Sequence, residues 1–446
     1  MAQRTPLMPP LLHMIRTRSA SRLFARFGAA LSAGLVLTLL SGCSKLHQVF
    51  SLSGPQSTMV TAGPVASAQW DLFMVTVKVT LFIFVIVGSV LAYAQIKFRA
   101  KTEAEEHAAP PAEAGHGNPL VEIGLIAGSV LLLVFIAVPT VRDIWYTYDV
   151  PQVDKDAGTA MEVTATGYQW WFKFEYPSEL VKGPSGEAPL STGNELVVPA
   201  GYAVKVNLRT VDVIHSFWIP KLAGKVDMMP NRANHLWFKA DKPGYYYGQC
   251  AEYCGESHAI MRFRVIALSP ANYAKWLENQ KNGARTVTAQ SLADEANKPV
   301  VKFASLTNVG PGSTLAGSPE FDADPFAFWQ KMQSPDAGEN AALVAAGRKL
   351  FADKTCITCH TVRGHEGIGV AGPELTHVGA RSTIAAGVLE NTPDRLKQWI
   401  KDPLYFKPGN KMYNGGYIDP ATGQHKFTLD ENTEIPAIAA YLRSLK

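Results

Sequence analysis

The sequence predicts a multidomain membrane protein: a two-helix transmembrane hairpin, then an all-β sandwich or barrel, then an all-α domain. Three observations predict it. Two apolar segments of membrane-spanning length lie in the first third of the chain, short alternating runs with turn signals fill the middle, and helical periodicity returns near the C-terminus. At 446 residues the chain is long enough for two or three domains. Its formal net charge of +4 is mild, and Lys and Arg form no arrays interleaved with aromatics, which argues against nucleic acid as a partner. The mean hydropathy of +0.01 is high for a soluble protein, and the two apolar segments account for it.

The first element is N-terminal. Arg16, Arg18, Arg22 and Arg26 precede an apolar run from Phe27 to Leu40, followed by Leu40-Ser41-Gly42-Cys43. A basic stretch, an apolar core of about 14 residues and a small-residue end describe a secretory signal over residues 1–42, too short to span a bilayer. The LSGC run resembles a bacterial lipobox, which implies that cleavage leaves Cys43 as an acylated N-terminus; an ordinary signal with a chance cysteine is the alternative. Residues 43–70 then form an extracytoplasmic segment.

The hairpin comes next. Leu72 to Ile96 carries one charge, Lys78, and Leu120 to Val141 carries one, Glu122, so spans are expected over 71–96 and 120–141. Lys97, Arg99 and Lys101 follow the first span, and the positive-inside rule places the loop 97–119 in the cytoplasm. Both ends of the chain then lie on the outer, periplasmic face of a bacterial plasma membrane. Two buried helices of a soluble domain are the alternative. Glu122 is an expensive residue at membrane depth and so a functional candidate, against a merely interfacial carboxylate.

Residues 142–270 make up the β domain. MEVTATG, QWWFKFEY, NELVVPAG, YAVKVNLRT, HSFWIP, HLWFKA, GYYYGQC and MRFRVIAL are strand-length runs separated by Pro and Gly. Residues 271–340 read as a connector, with one short helical piece (ANYAKWLENQ) and then Ala-, Ser-, Pro- and Gly-rich sequence. From 341 to 446 the amphipathic stretches AALVAAGRKLFADK, PDRLKQWIKD and EIPAIAAYLRSL predict a helical domain.

The chain has five cysteines. Cys250-Ala-Glu-Tyr-Cys254-Gly-Glu-Ser-His258-Ala-Ile-Met261 gathers two thiols, an imidazole and a thioether, all soft or borderline metal ligands, and His215 in VIHSFWIP can join them from a distant strand. One thiolate with two His and a Met would make a mononuclear copper site. Two thiolates can each bridge a pair of copper ions, with the two His and the Met as outer ligands. A disulfide between Cys250 and Cys254 and a zinc site with two Cys and two His are the alternatives. Cys356-Ile-Thr-Cys359-His360 is a haem-attachment pattern, in which both thiols add to the porphyrin and the adjacent imidazole ligates iron. A zinc site would need two further ligands nearby.

HSFWIP and DMMPNRANHLWFKADKPGYYYGQCAEYCGESHAIMRF resemble the dinuclear copper (CuA) domain of subunit II of haem–copper oxidases, and the likeness runs from about Asp71 to Leu268. It implies a cupredoxin-like sandwich in which Cys250 and Cys254 bridge two coppers. His215 and His258 would be terminal ligands, completed by Met261 and the backbone carbonyl of Glu252. The Glu252 side chain would reach a magnesium or manganese ion bordering subunit I. The resemblance also implies that Trp170 receives electrons from soluble cytochrome c and that Glu122 marks the mouth of a proton channel. His235, Met228 and Met229 have no ligand role in that family.

The C-terminal domain resembles small c-type cytochromes through AALVAAGRKLFADKTCITCHTV, AGPELTHVG and EIPAIAAYLRSL. That implies covalent haem c on Cys356 and Cys359, with His360 as one axial ligand. Met412, in KPGNKMYNGG, is the expected other, although Tyr413 stands where that family usually has Pro; His365, His377 and His425 are the rivals. Together the resemblances imply subunit II of a bacterial cytochrome c oxidase with a fused cytochrome c domain, the caa-type arrangement. Its partners would be subunit I and the other oxidase subunits, with cytochrome c or a quinol–cytochrome c reductase as donor, and oxygen reduction would be coupled to proton translocation. The connector would let the haem domain meet first the donor and then the copper. A CuA-containing subunit of a nitric-oxide reductase and a membrane-anchored electron-transfer protein are the alternatives.

Overall fold

The structure is a computed structural model that describes residues 54–107, 117–183, 186–295, 324–412 and 429–446. The proposed signal, Cys43 and His425 lie outside the described residues. Everything below belongs to the compact unit Thr58–Lys446.

Two long helices form first: α1 (Pro64–Lys97) and, after the single turn α2 (Glu103–Glu106), α3 (Pro119–Tyr148). Both open on Pro, whose fixed φ and missing N–H suit a helix start, and Asn118 caps α3 by accepting from the Leu120 N–H at 3.0 Å. They run beyond the expected spans at both ends, because the helical backbone continues past the apolar stretch into Pro64–Trp70 and Arg142–Tyr148. Both are long and apolar enough to cross a membrane, and Leu81, Phe84, Val90, Leu125, Leu131 and Phe135 point outward.

After α4 (Gln152–Asp156) the chain builds a two-sheet sandwich. One sheet has the order β3-β2-β1-β5-β8: β1 (Ala160–Tyr168), β2 (Trp171–Gly183), β3 (Gly186–Gly193), β5 (Ala203–Thr210) and β8 (Asn234–Lys239). The other has the order β4-β10-β9-β6-β7: β4 (Glu195–Pro199), β6 (His215–Trp218), β7 (Val226–Met228), β9 (Gly244–Cys250) and β10 (Arg262–Leu268). The β1–β5 and β10–β4 pairs are parallel, and the other pairs in the two sheets are antiparallel. Alternation on β2 sends Phe172, Phe174 and Tyr176 inward, where the two Phe rings meet Phe217 and Phe263 of the facing sheet. The Tyr176 hydroxyl bridges the layers, donating to Val197 O at 3.0 Å and accepting from Val197 N–H at 2.9 Å.

The region read as a connector is more ordered than its composition indicates. α5 (Pro270–Lys281) buries Trp276 in the sandwich core; α6 (Ala289–Glu295) and α7 (Pro325–Met332) follow. Phe326 and Trp329 of α7 also join the sandwich core.

The C-terminal domain has its own core, around Phe351, Val362, Leu396, Ile438 and Tyr441. It comprises α8 (Ala341–Asp353), a two-strand hairpin of β11 (Thr383–Ile384) and β12 (Leu389–Glu390), α9 (Pro393–Lys401), α10 (Pro403–Phe406) and α11 (Glu434–Ser444). The helices α8 and α11 cross closely at Gly347, where a Cβ would lie 1.9 Å from Ala437 O.

This domain sits directly on the sandwich. Glu195 accepts from the Ser382 and Thr383 N–H groups at 2.8 and 3.0 Å and from the Ser382 hydroxyl. The β11–β12 turn reaches β10, with Gly387 O accepting from Arg264 at 2.9 Å and Ala386 O from Arg262 N–H at 3.2 Å. Fixed contacts, not a connector alone, hold the two domains together.

Candidate metal centre and haem attachment site

The loop after β9 and the start of β6 converge at one end of the sandwich. Cys250 ends β9, His215 opens β6, and the two strands pair through Phe217 and Cys250. Between Cys250 and β10 the chain makes a tight loop with Gly255 at φ +115° and a single 3₁₀ turn, His258–Ile260, which brings His258 and Met261 back over the cysteines.

The sulfurs of Cys250 and Cys254 are 3.7 Å apart, a non-bonded separation, so the pair is not a disulfide. Around them lie His215 Nδ1, 3.9 Å from the Cys250 sulfur, His258 Nδ1, 3.6 Å from the Cys254 sulfur, and the Met261 sulfur, 3.8 Å from it. The Glu252 carbonyl is 3.3 Å from the Cys250 sulfur. All six donors named from the sequence are therefore brought together, and His215 and Met261 are fully buried.

The electrostatics fit a cation. The hydrogen bond from Cys254 and those from His215 hold the Cys250 thiol far below its ordinary range, whereas the adjacent Cys250 sulfur keeps Cys254 protonated. Two buried sulfurs that cannot both ionise alone become stable as a dithiolate only beside positive charge. Two thiolates, two imidazoles, a thioether and a carbonyl are a soft donor set with one imidazole on each side of the sulfur pair, which suits copper.

Asp212 was not evident from the sequence. Its carboxylate lies 2.8 Å from His215 Nε2 and accepts from the Gln169 and Val213 N–H groups at 2.7 and 2.8 Å. Burial alone would lower the His215 pKa, but Asp212 and Cys250 reverse the sign and raise it. With Nε2–H committed to Asp212, Nδ1 is the nitrogen that faces the sulfurs, and its lone pair would become available where a metal replaces the proton it shares with Cys250. The spacing Asp212-Val-Ile-His215 was the available signal. Gly167 is required here as well, because a Cβ would come 2.7 Å from His215 Cδ2. Gln169 and Trp170 both donate to the Cys254 carbonyl, at 2.9 and 3.0 Å.

Three sequence expectations fare differently. Trp170 is buried, and the C-terminal domain covers it. The half-exposed Glu252 carboxylate faces Lys225 Nζ at 3.9 Å; the only His/Cys/Asp/Glu ligand cluster among the described residues is His215–Cys250–Cys254, so nothing here supports a magnesium or manganese site. Glu122 lies exposed in the first turn of α3.

In the C-terminal domain, Cys356–Thr358 form a 3₁₀ turn entered through Thr355 at φ +62°. His360 Nδ1 lies 2.8 Å from Pro373 O; a carbonyl can only accept, so Nδ1 carries the proton and Nε2 keeps its lone pair for a metal. Burial also holds this imidazole below its ordinary pKa, in the neutral form a ligand needs. Gly372 permits the approach, since a Cβ would fall 2.6 Å from His360 Cε1. The Ala371-Gly372-Pro373 run thus has a physical task, and the residues fit a covalently bound haem. Met412 is half-buried, its N–H donating to Asn410 Oδ1 at 2.6 Å, and no hydrogen bond joins it to His360. Of the rival ligands, His365 has both nitrogens occupied, by Tyr441 Oη at 2.9 Å and Thr286 Oγ1 at 3.2 Å. His377 Nε2 faces Asn282 O at 3.1 Å.

A cupredoxin-like sandwich with paired cysteines, carrying a c-type cytochrome domain, defines a class of membrane-anchored electron-transfer proteins. Residues 161–268 match the family described as cytochrome c oxidase subunit II, periplasmic domain, and residues 344–446 match cytochrome c. Cytochrome c oxidase subunit 2 of Alkalihalophilus pseudofirmus is 31% identical over 86% of this chain and 89% of the relative. The corresponding protein of Bacillus sp. (strain PS3) is 30% identical over 95% of this chain and 97% of its own. Among solved structures, the periplasmic domain of subunit II of the Bradyrhizobium japonicum oxidase is 34% identical, covers 27% of this chain and 93% of that one, and has a TM-score of 0.24. The chain belongs to the cytochrome c oxidase subunit 2 family, and its two domains imply a CuA copper centre and haem c.

Proposed function

We propose that this chain is the subunit that carries electrons from a donor protein, by way of its haem domain and then its copper domain, to the oxygen-reducing subunit I of a bacterial cytochrome c oxidase. The observation that carries the reading is the sulfur pair at 3.7 Å with an imidazole on each side, directly beneath the cytochrome domain. When bound, the copper pair and the haem supply two one-electron carriers in a single chain.

In this reading Cys250 and Cys254 would hold the two coppers between them, with His215, His258, Met261 and the Glu252 carbonyl as the remaining ligands. Asp212 orients His215. The packed Phe172, Phe174, Phe217 and Phe263 rings fill the sandwich core behind the centre. Cys356 and Cys359 would attach the haem, and His360 and Met412 would ligate its iron; thioether ligation raises the potential relative to a second imidazole, as a donor to an oxidase requires. Glu122, in the first turn of α3, would offer a proton to the partner subunit. Cys43 would be the lipid anchor of the mature chain. The copper and haem domains would face the periplasm, as the positive charges after the first span imply. Cytochrome c or a quinol–cytochrome c reductase would be the donor.

Replacing Cys254 with Ser is expected to abolish the mixed-valence dinuclear copper EPR signal while leaving the haem c spectrum intact. An unaltered copper signal would overturn the bridging role. Oxygen uptake by the purified complex, set against nitric-oxide reduction, separates an oxidase from a nitric-oxide reductase. Neither activity, with no large haem-containing partner co-purifying, would leave a membrane-anchored carrier.

A further inference from the structure

Trp170 is 6% exposed, and what covers it is the chain's own C-terminal domain. The covering piece is short and continuous. Lys407 Nζ donates to Trp170 O at 2.8 Å and to Ile260 O at 3.1 Å. Pro408 O accepts from Ser257 Oγ at 2.6 Å. Gly409, at φ +74°, lies so close to the indole that a Cβ would fall 2.7 Å from Trp170 Cη2 and 2.5 Å from Glu256 Oε2. Three consecutive residues therefore touch both walls of the metal site: the loop bearing Trp170 and the loop bearing His258 and Met261.

We infer that residues 403–410 are a built-in plug over Trp170, latched by Lys407, which reserves this face of the copper domain for the chain's own haem domain and closes it to external donor proteins. The inference deepens the proposed function, since it rests on the copper domain being where electrons are received.

Lys407 is the telling residue. The residue is 2% exposed, and its Nζ meets two carbonyl oxygens; no carboxylate pairs with it among the described residues. Burying an ammonium costs several kcal/mol unless fixed acceptors meet it, so an apolar residue would make a stickier contact. A lysine makes a more specific one. Only when the Trp170 and Ile260 carbonyls are both in place are the buried Nζ–H donors satisfied, so the lysine selects one docked arrangement and disfavours slipped ones. Gly409 acts in the same sense. A glycine with positive φ brings bare backbone against the indole, and any side chain there would lift the segment away. The segment also runs toward Met412, the proposed axial ligand, while the Trp170 Nε1–H reaches the Cys254 carbonyl at 3.0 Å. The surface that excludes an outside protein is thus also a direct contact between the two cofactor-binding regions.

The test reads exposure, not turnover. Hydroxyl-radical footprinting of the full chain in its detergent-solubilised complex, read by peptide mass spectrometry, compares Trp170 with Tyr253, which is 76% exposed. In the parent chain Trp170 is expected to be oxidised far more slowly than Tyr253. In Lys407→Met and Gly409→Leu it should be oxidised severalfold faster than in the parent, with the haem absorption and the copper EPR signal unchanged. An added soluble cytochrome c should cross-link to peptides around Trp170 in Gly409→Leu and not in the parent. Trp170 reacting as fast as Tyr253 in the parent, protection surviving both substitutions, or parent cross-links at Trp170 would each overturn the plug. A parent chain without the dinuclear copper signal would instead sink the functional reading, leaving the footprint to judge the plug alone.

Discussion

His377 shows how a side chain outside the chemistry can set the acid limit of the fold. It is buried, and burial, reinforced by the positive charges of Arg363 and Arg381, holds its pKa down to about 4. In the unfolded chain the imidazole titrates near 6.5, so below that pH the unfolded state takes up a proton the folded state refuses. Stability contributed by neutral His377 is complete above about 6.5 and is lost as pH falls toward 4. The loss is at most about 3 kcal/mol. Denaturant melts of the haem domain at pH 7 and pH 5 should show that loss, and His377→Gln should flatten the difference; an equal slope in both proteins would refute it. At this scale the sequence was informative where chemistry is intrinsic to a side chain. Cys250, Cys254, His258 and Met261 announce a soft metal site by type and spacing. Asp212 and Lys407 do not, because a solvated carboxylate or ammonium and one that orients an imidazole or meets buried carbonyls look alike until folding selects their neighbours.

The elements follow the same division. Long apolar helices, alternating strands and the three amphipathic helices of the C-terminal domain were legible, since each carries its own periodicity over enough residues. The helix α7 was not. Its eight residues, PFAFWQKM, are too few for a period to emerge, and its apolar side chains find their partners in another domain. Asp324 nonetheless caps it, accepting from the Phe326 and Ala327 N–H groups at 3.1 and 3.0 Å. Phe326 then stacks on Trp329 within the sandwich core, so part of the stability of the copper domain resides in the connector. Phe326→Ala should destabilise that domain by about 3 kcal/mol, the low end for truncating a buried Phe. Calorimetry of the full chain measures it, with the transition assigned by loss of the copper signal. A copper-domain transition unmoved by the substitution would mean that α7 merely rests on the surface.

Among the described residues, the hydrogen bonds that join the helical hairpin to the copper domain lie at one end of the hairpin. Near the start of α1, Ala62 and Ala66 N–H donate to Lys221 O and Leu222 O at 2.8 and 3.2 Å. At the end of α3, Tyr146 O accepts from Trp237 Nε1 at 3.1 Å, and Tyr148 O lies 3.0 Å from His235 Nε2. Helices of 34 and 30 residues are roughly 51 and 45 Å long, against a hydrocarbon core of about 30 Å, so both stand clear of the lipid where they meet the sandwich. The segment joining them leaves α1 at the opposite end and opens with Arg99 and Lys101, just after Lys97. With the sandwich joined at one mouth of the hairpin, what remains is the side on which the loop lies, and the Lys and Arg that open the loop predict the cytoplasm, the Glu residues after them counting little. A cysteine introduced at Glu106 tests this directly, because carboxylates in the loop contribute little to orientation. In intact spheroplasts an impermeant maleimide should leave the Glu106→Cys peptide unlabelled until the membrane is opened, whereas a Lys182→Cys peptide, exposed at the end of β2, should react at once. Labelling of the loop from outside would invert the molecule and put the sulfur pair, the haem site and the plug on the side where no periplasmic donor could reach them.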